Sequence, residues 1–261
     1  MKRIIQTLIV LPGLLLAATG CSIKEERSEC PCWLDVFFEE FPEEGLVLSA
    51  WNGSRLFQDE IAGEDFSDFY EKEVKKGLVS LSAYRCKDSL TEKDGSLVIP
   101  IGSQADSLYA HLSWVECYGE FACDTVRLHK QFATVHLTLE NSSGQAYPYW
   151  VEVVGNINGM NTRTLSPAEG EFDFIPELSE NQDCSFRLPR QKDGSLSLLI
   201  YKKEDNSFVD CLALGELICA SGYDWAAEDL SDIDITIDFA KVGIQISIRG
   251  WDSEYIYEIT I

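Results

Sequence analysis

Apolar and polar residues alternate at period two through most of the chain, and this confines the fold to β-sheet. In Gly77–Tyr84 (GLVSLSAY), Val79, Leu81 and Ala83 fall on one face and Ser80 and Ser82 on the other. Successive side chains of a strand point to opposite faces, so such a run buries one face and hydrates the other. Gln131–Glu140 repeats the pattern, with Ala133, Val135, Leu137 and Leu139 opposite Phe132, Thr134, His136 and Thr138. Further runs begin at Trp33, Gly45, Ser96, Ser107, Phe121, Tyr149, Gly170, Cys184, Ser195, Ser207, Ile233, Val242 and Tyr255. Most are bounded by Gly, Pro, Asp or Asn, which punctuate strands. Lys93-Asp94-Gly95 and Lys192-Asp193-Gly194 read as tight turns. About fourteen strands at roughly 8–12-residue spacing specify an all-β chain of two β-sandwiches, divided near residue 130. Two segments break the pattern. Gly63–Lys76 sets Phe66, Phe69, Tyr70 and Val74 at helical spacing and predicts a short helix or a loop packed on the sheet. Leu217–Leu230 predicts one short helical piece.

The charge balance narrows the function. The chain of 261 residues carries 44 Asp+Glu against 21 Lys+Arg, a formal net charge of −23. Nucleic-acid binding needs a basic footprint that displaces counterions, and anionic lipid also attracts cations, so both are excluded as electrostatic partners. The chain is 45% hydrophobic and 11% aromatic, enough to build real cores.

The N-terminus has a different character. Lys2 and Arg3 precede an apolar stretch, Ile4–Ala18, that is interrupted by Gln6, Thr7, Pro12 and Gly13. It is too short to span a bilayer comfortably and reads as a signal peptide over residues 1–20. Ala18-Thr19-Gly20-Cys21 resembles the lipobox of bacterial lipoproteins, which implies cleavage before Cys21 and acylation of its thiol. Each buried methylene contributes about 0.8 kcal/mol, so more than one acyl chain holds firmly. Residues 21–29 then form a lipidated polar tether. Lys24-Glu25-Glu26 resembles an export signal to the outer face of the outer membrane; a plain solvated linker is the competing reading.

Eight cysteines remain after Cys21: Cys30, Cys32, Cys86, Cys117, Cys123, Cys184, Cys211 and Cys219. An even number in an exported chain suggests disulfides, whose pairing the sequence leaves open. Cys117 and Cys123 flank a turn at Gly119 and offer one local bridge; Cys211 and Cys219 offer another. Zinc is a poor competitor, because Cys-x-x-Cys pairs are lacking and His111, His129 and His136 are scattered.

Catalytic signatures are missing. The sequence lacks a Gly-x-Ser-x-Gly elbow, a phosphate-cradling glycine loop and a His-Glu-x-x-His pair. His136 reads as a sheet residue and His129 as a structural residue at the domain join. Asp232, Asp234 and Asp238 share one strand face, which either gathers calcium or is simply solvated. No cofactor, metal or catalytic residue is therefore expected. Tyr255, Tyr257, Ile259 and Ile261 share a face of the last strand. That strand either completes a sheet or pairs with another subunit by strand addition.

Several segments, in order, resemble the FimB-type fimbrial anchor family, lipoproteins of type V pili. They are Arg27-Ser28-Glu29-Cys30-Pro31 with Trp33-Leu34, Gly77–Tyr84, His129-Lys130-Gln131-Phe132-Ala133, Tyr147-Pro148 with Val151–Gly155, Arg187-Leu188-Pro189-Arg190-Gln191 with Ser195-Leu196, and Ile235–Trp251. The resemblance implies two transthyretin-like β-sandwich domains in tandem, residues 30–130 and 131–261. It implies a lipid-anchored protein of the cell outer membrane that anchors or initiates a fimbria through contact with pilin subunits, and that is not an enzyme. Arg55, Arg85 and Arg127 offer cleavage positions of the kind that rod subunits of the superfamily use, with none singled out, and the resemblance implies an anchor that stays attached at its lipid-bearing N-terminus. A different class of function stays open: a surface lipoprotein that binds glycans or host protein, with Trp51, Trp114, Trp150 and Trp251 spread over both halves. For most of those tryptophans a core position is the simpler expectation.

Overall fold

A computed structural model describes residues 30–66, 69–86, 90–140, 148–238, 243–249 and 254–260. The expected signal peptide, Cys21, the tether, Trp251 and Ile261 lie outside the described residues.

The chain is all-β. In the first half the strands are β1 (Cys32–Phe38), β2 (Leu46–Asn52), β3 (Ser54–Ile61), β4 (Tyr70–Val74), β5 (Gly77–Arg85), β6 (Thr91–Lys93), β7 (Ser96–Val98), β8 (Tyr109–Cys117) and β9 (Phe121–Val126). Then follow β10 (His129–Lys130), β11 (Phe132–Glu140), β12 (Tyr149–Asn161), β13 (Pro167–Phe174), β14 (Asp183–Pro189), β15 (Ser197–Lys202) and β16 (Phe208–Leu212). The helix α1 (Leu214–Ala220) precedes β17 (Asp232–Asp238), β18 (Gly243–Arg249) and β19 (Glu254–Thr260).

One topology is used twice. In the first half β4-β1-β9 form one sheet, and β8-β5-β2-β3 run side by side in the other. In the second half β14-β11-β17 and β16-β15-β12-β13 take the same places. In each unit the opening strand pairs parallel with the closing one: Trp33 faces Phe121 on β1 and β9, and Val135 faces Ile233 on β11 and β17. Alternation explains the cores. Leu34, Val36, Leu48, Ala50, Val79, Leu81, Ala83 and Val115 fill the first, and Val135, Leu137, Val153, Phe172, Phe186, Leu198, Ile233 and Ile235 the second.

Additions modify the repeat. The β6–β7 hairpin turns at Asp94 (φ 51°) and Gly95 (φ 76°), as its Asp-Gly signal requires. It pairs with β12 of the second half, so residues 91–98 join the second unit's sheet. A small cluster of Tyr84, Leu97, Leu108, Ala110 and Met160 joins the two units. At the other end β18 and β19 extend the sheet antiparallel past β17.

Four local expectations are corrected. Gly63–Lys76 is not an α-helix: it holds a single 3-10 turn at Gly63–Asp65 and the strand β4, while Phe66 stacks on Phe41 at 3.9 Å. Its apolar spacing is that of an edge strand with Tyr70 opposite Val36 and Val74 opposite Cys32. The turn at Lys192–Gly194 does not close a ladder but carries the chain from β14 in one sheet to β15 in the other. Gly119 likewise turns the chain between sheets, which sets Cys117 in the core and leaves Cys123 exposed; the two are not bridged. Cys211 and Cys219 are both exposed and unbridged.

Candidate functional site

Two of the segments that carry the fimbrial resemblance, residues 129–133 and 187–191, meet at the start of the second unit. Phe132 lies opposite Pro189 and Thr134 opposite Arg187. Arg190 donates from Nε to Gln131 Oε1 at 2.8 Å and from a terminal nitrogen to the Glu228 carbonyl at 3.0 Å, and it also donates to the Trp225 carbonyl. Lys130 Nζ reaches Asp232 Oδ1 at 2.5 Å, and the Lys130 amide donates to Asp229 Oδ1 at 2.6 Å. His129 Nδ1 lies 3.0 Å from Asp229 Oδ2. Burial pushes the Asp232 carboxyl up, but Lys130 and the Thr134 amide outweigh it and hold it below the ordinary carboxylate range. Asp232 thus serves an ion pair, and among the described residues no cluster of His, Cys, Asp and Glu could hold a metal ion.

One group superficially resembles a catalytic constellation. Ser113 Oγ donates to Asp124, and His111 Nε2 lies 3.8 Å from the same carboxylate. Nucleophilic activation needs the imidazole against the serine hydroxyl, with the acid behind it. Here the aspartate sits in the middle, and His111 Nδ1 faces the Arg127 carbonyl at 3.0 Å. The arrangement cannot activate Ser113. Asp173 neighbours Glu152, and burial first, then Asp173, raises Glu152 above the ordinary carboxylate range.

Among the described residues two features bear on binding. The first is the strand β19, the last of its sheet, where Tyr255, Tyr257 and Ile259 lie in register with Ile248, Ile246 and Ile244 of β18. The second is an aromatic row across three strands. Trp150 stacks on Tyr201 with ring centroids 4.3 Å apart, and Tyr201 meets Phe208 edge-on at 5.8 Å. Trp150 Nε1 donates to Asn206 Oδ1 at 3.0 Å, and Phe208 is 58% exposed. The described tryptophans among those expected in the core are instead on outer faces: Trp114 is 63% exposed, and Trp51 sits beneath Arg55 and Arg163 at 5.3 and 5.6 Å. Tyr201 and Phe208 escape sequence reasoning because only the folded sheet aligns them with Trp150. His136 is a sheet residue opposite Ser185. Among the described residues no helix is long and apolar enough to cross a membrane.

No protein-family model matches the chain, and no curated protein matches it by sequence. By fold it is similar to the fimbrial anchor protein Mfa2 of Porphyromonas gingivalis, with TM-score 0.54 and 15% identity over 85% of this chain and 98% of that one. It is also similar to a candidate polysaccharide-binding protein of Bacteroides thetaiotaomicron (TM-score 0.62, 16% identity, 87% and 98% covered). A candidate adhesin of Bacteroides ovatus gives TM-score 0.55 at 13% identity, with 90% and 97% covered. At these identities the fold is what is shared.

Proposed function

We propose that this chain is a non-enzymatic lipoprotein of the cell outer membrane, held through Cys21, that anchors or initiates a fimbria by strand pairing with pilin subunits. The observation that carries the reading is the hairpin β18–β19, which extends the second unit's sheet and leaves β19 as its outermost strand. An open strand edge offers main-chain hydrogen bonds for affinity, and alternate side chains such as Tyr255, Tyr257, Ile259 and Ile261 for specificity. The fold likeness to a fimbrial anchor supports the same reading. The lipobox-like Ala18–Cys21 supplies the address. Isolation of the lipidated protein from cells, followed by identification of co-purifying proteins, tests it. Fimbrial subunits are the expected companions; their absence counts against the anchor role.

A second reading has its own observation. The row Trp150, Tyr201 and Phe208, half-buried at the first two rings and exposed at the third, is an aromatic platform of the kind on which sugar rings stack, and one fold relative is a candidate polysaccharide-binding protein. Saturable binding on a glycan array, abolished by Trp150→Ala, would favour a surface glycan-binding lipoprotein over an anchor.

A further inference from the structure

The β8–β9 turn brings two cysteines face to face inside the first sandwich. Phe121, which opens β9, lies opposite Trp33 of β1, and the Trp33 amide donates to the Glu120 carbonyl at 2.9 Å. The turn therefore lays the end of β8, in one sheet, against the start of β1, in the other. Cys117 is the last residue of β8 and Cys32 the first of β1; both point into the same core and both are 0% exposed. Cys32 is close enough to raise the Cys117 thiol, after burial, and Cys32 Sγ also lies 3.6 Å from the Trp33 carbonyl. Both are free thiols in the structure, as are the other six described cysteines, which are exposed or only partly buried.

We propose that Cys32 and Cys117 close an intersheet disulfide in the exported protein, formed by exchange with a disulfide-bearing oxidoreductase of the cell envelope. The proposal rests on the export reading above. Two thiols give up two protons and two electrons, one S–S bond forms, and the oxidoreductase's own disulfide is reduced to a dithiol. Exchange precedes closure of the core, because neither sulfur is reachable afterwards. Once buried, a thiol of this pair is inert: burial, then the adjacent Cys32, pushes the Cys117 thiol up to about 12.

The bond has a mechanical consequence. Tension on a membrane anchor enters the fold from the Cys21 end, and β1 is the first strand it meets. Among the described residues that strand pairs with β4 on one side and β9 on the other. A bond at its first residue passes the tension to β8 in the facing five-stranded sheet, which includes β10, β5, β2 and β3.

The test uses the full chain, expressed with its N-terminal segment in a bacterium that oxidises exported thiols. A Cys30→Ser background removes the neighbouring thiol from the same peptide. Cells are opened in denaturant containing N-ethylmaleimide, and the protein is digested without reduction and mapped by mass. The expected result is a linked Cys32–Cys117 peptide with Cys123, Cys211 and Cys219 alkylated. Alkylation of both Cys32 and Cys117 in protein that has lost residues 1–20 overturns the proposal and leaves the export reading intact. If residues 1–20 remain attached, export fails, and refolding with oxidised glutathione decides the bridge. Preferential Cys32–Cys117 linkage supports it, and other pairings overturn it. As a second measurement, protein reduced in denaturant and refolded with its thiols kept reduced should melt about 10 °C below the oxidised protein, and Cys123→Ser should leave that drop unchanged. A midpoint indifferent to reduction contradicts the bond.

Discussion

Arg190 and Gln131 are joined twice: Arg190 Nε donates to Gln131 Oε1 at 2.8 Å, and the Arg190 amide donates to the Gln131 carbonyl at 3.2 Å. The same guanidinium serves the carbonyls of Trp225 and Glu228, so one side chain ties the entry of the second sandwich to the segment after α1. Arg190→Ala strands these acceptors without a donor. We expect a loss of about 2–3 kcal/mol in urea unfolding. Arg190→Lys should recover little, because an ammonium cannot reproduce the planar fork.

Acid should weaken the same region. The Asp232 carboxyl is held below its ordinary range, burial being outweighed by Lys130 and Thr134. Asp229 is held down in the same sense, by His129 and the Lys130 amide against burial. A depressed native value stabilises fully above the unfolded carboxylate value of about 3.9 and is lost as pH falls through the native one. Stability should therefore fall steeply below about pH 4, and Asp232→Asn should flatten that limb in acid titrations followed by circular dichroism.

Gly159 tests the pairing of β7 with β12. A Cβ there would lie 2.0 Å from the Leu97 carbonyl oxygen and 3.0 Å from its carbon, both backbone atoms that cannot swing away. Gly159→Ala should cost at least about 1–3 kcal/mol, measured as a lowered urea midpoint. An unchanged midpoint would mean that β6–β7 does not dock on the second sandwich.

The aromatic row supports the sheet and lies outside the strand edge that the anchor reading uses. Tyr201→Ala removes both ring contacts and should cost about 0.5–1.5 kcal/mol beyond its buried area. On the anchor reading Phe208→Ala leaves fimbriation unchanged, as counted by electron microscopy of whole cells.

Strand-by-strand, the fold was legible where alternation was strong. Ala133, Val135, Leu137 and Leu139 fall inward as their spacing demands, and Asp94-Gly95 turns where its residue types allow. Legibility failed at edges and corners. The strand β3 is masked by charges at Arg55, Asp59 and Glu60, because a sheet edge tolerates them. Cys117 and Cys123 looked like hairpin neighbours, yet their strands belong to different sheets. The aromatic row and the Cys32–Cys117 contact depend on partners far apart in sequence, which periodicity cannot register. The docking of β6–β7 onto β12 was invisible for the same reason.

The most direct test of the anchor reading is the fate of fimbriae in cells that make Cys21→Ala. The account predicts that both the variant protein and the fimbriae leave the cells and appear together in the medium. Fimbriae that stay on the cell surface while the variant is released would contradict it.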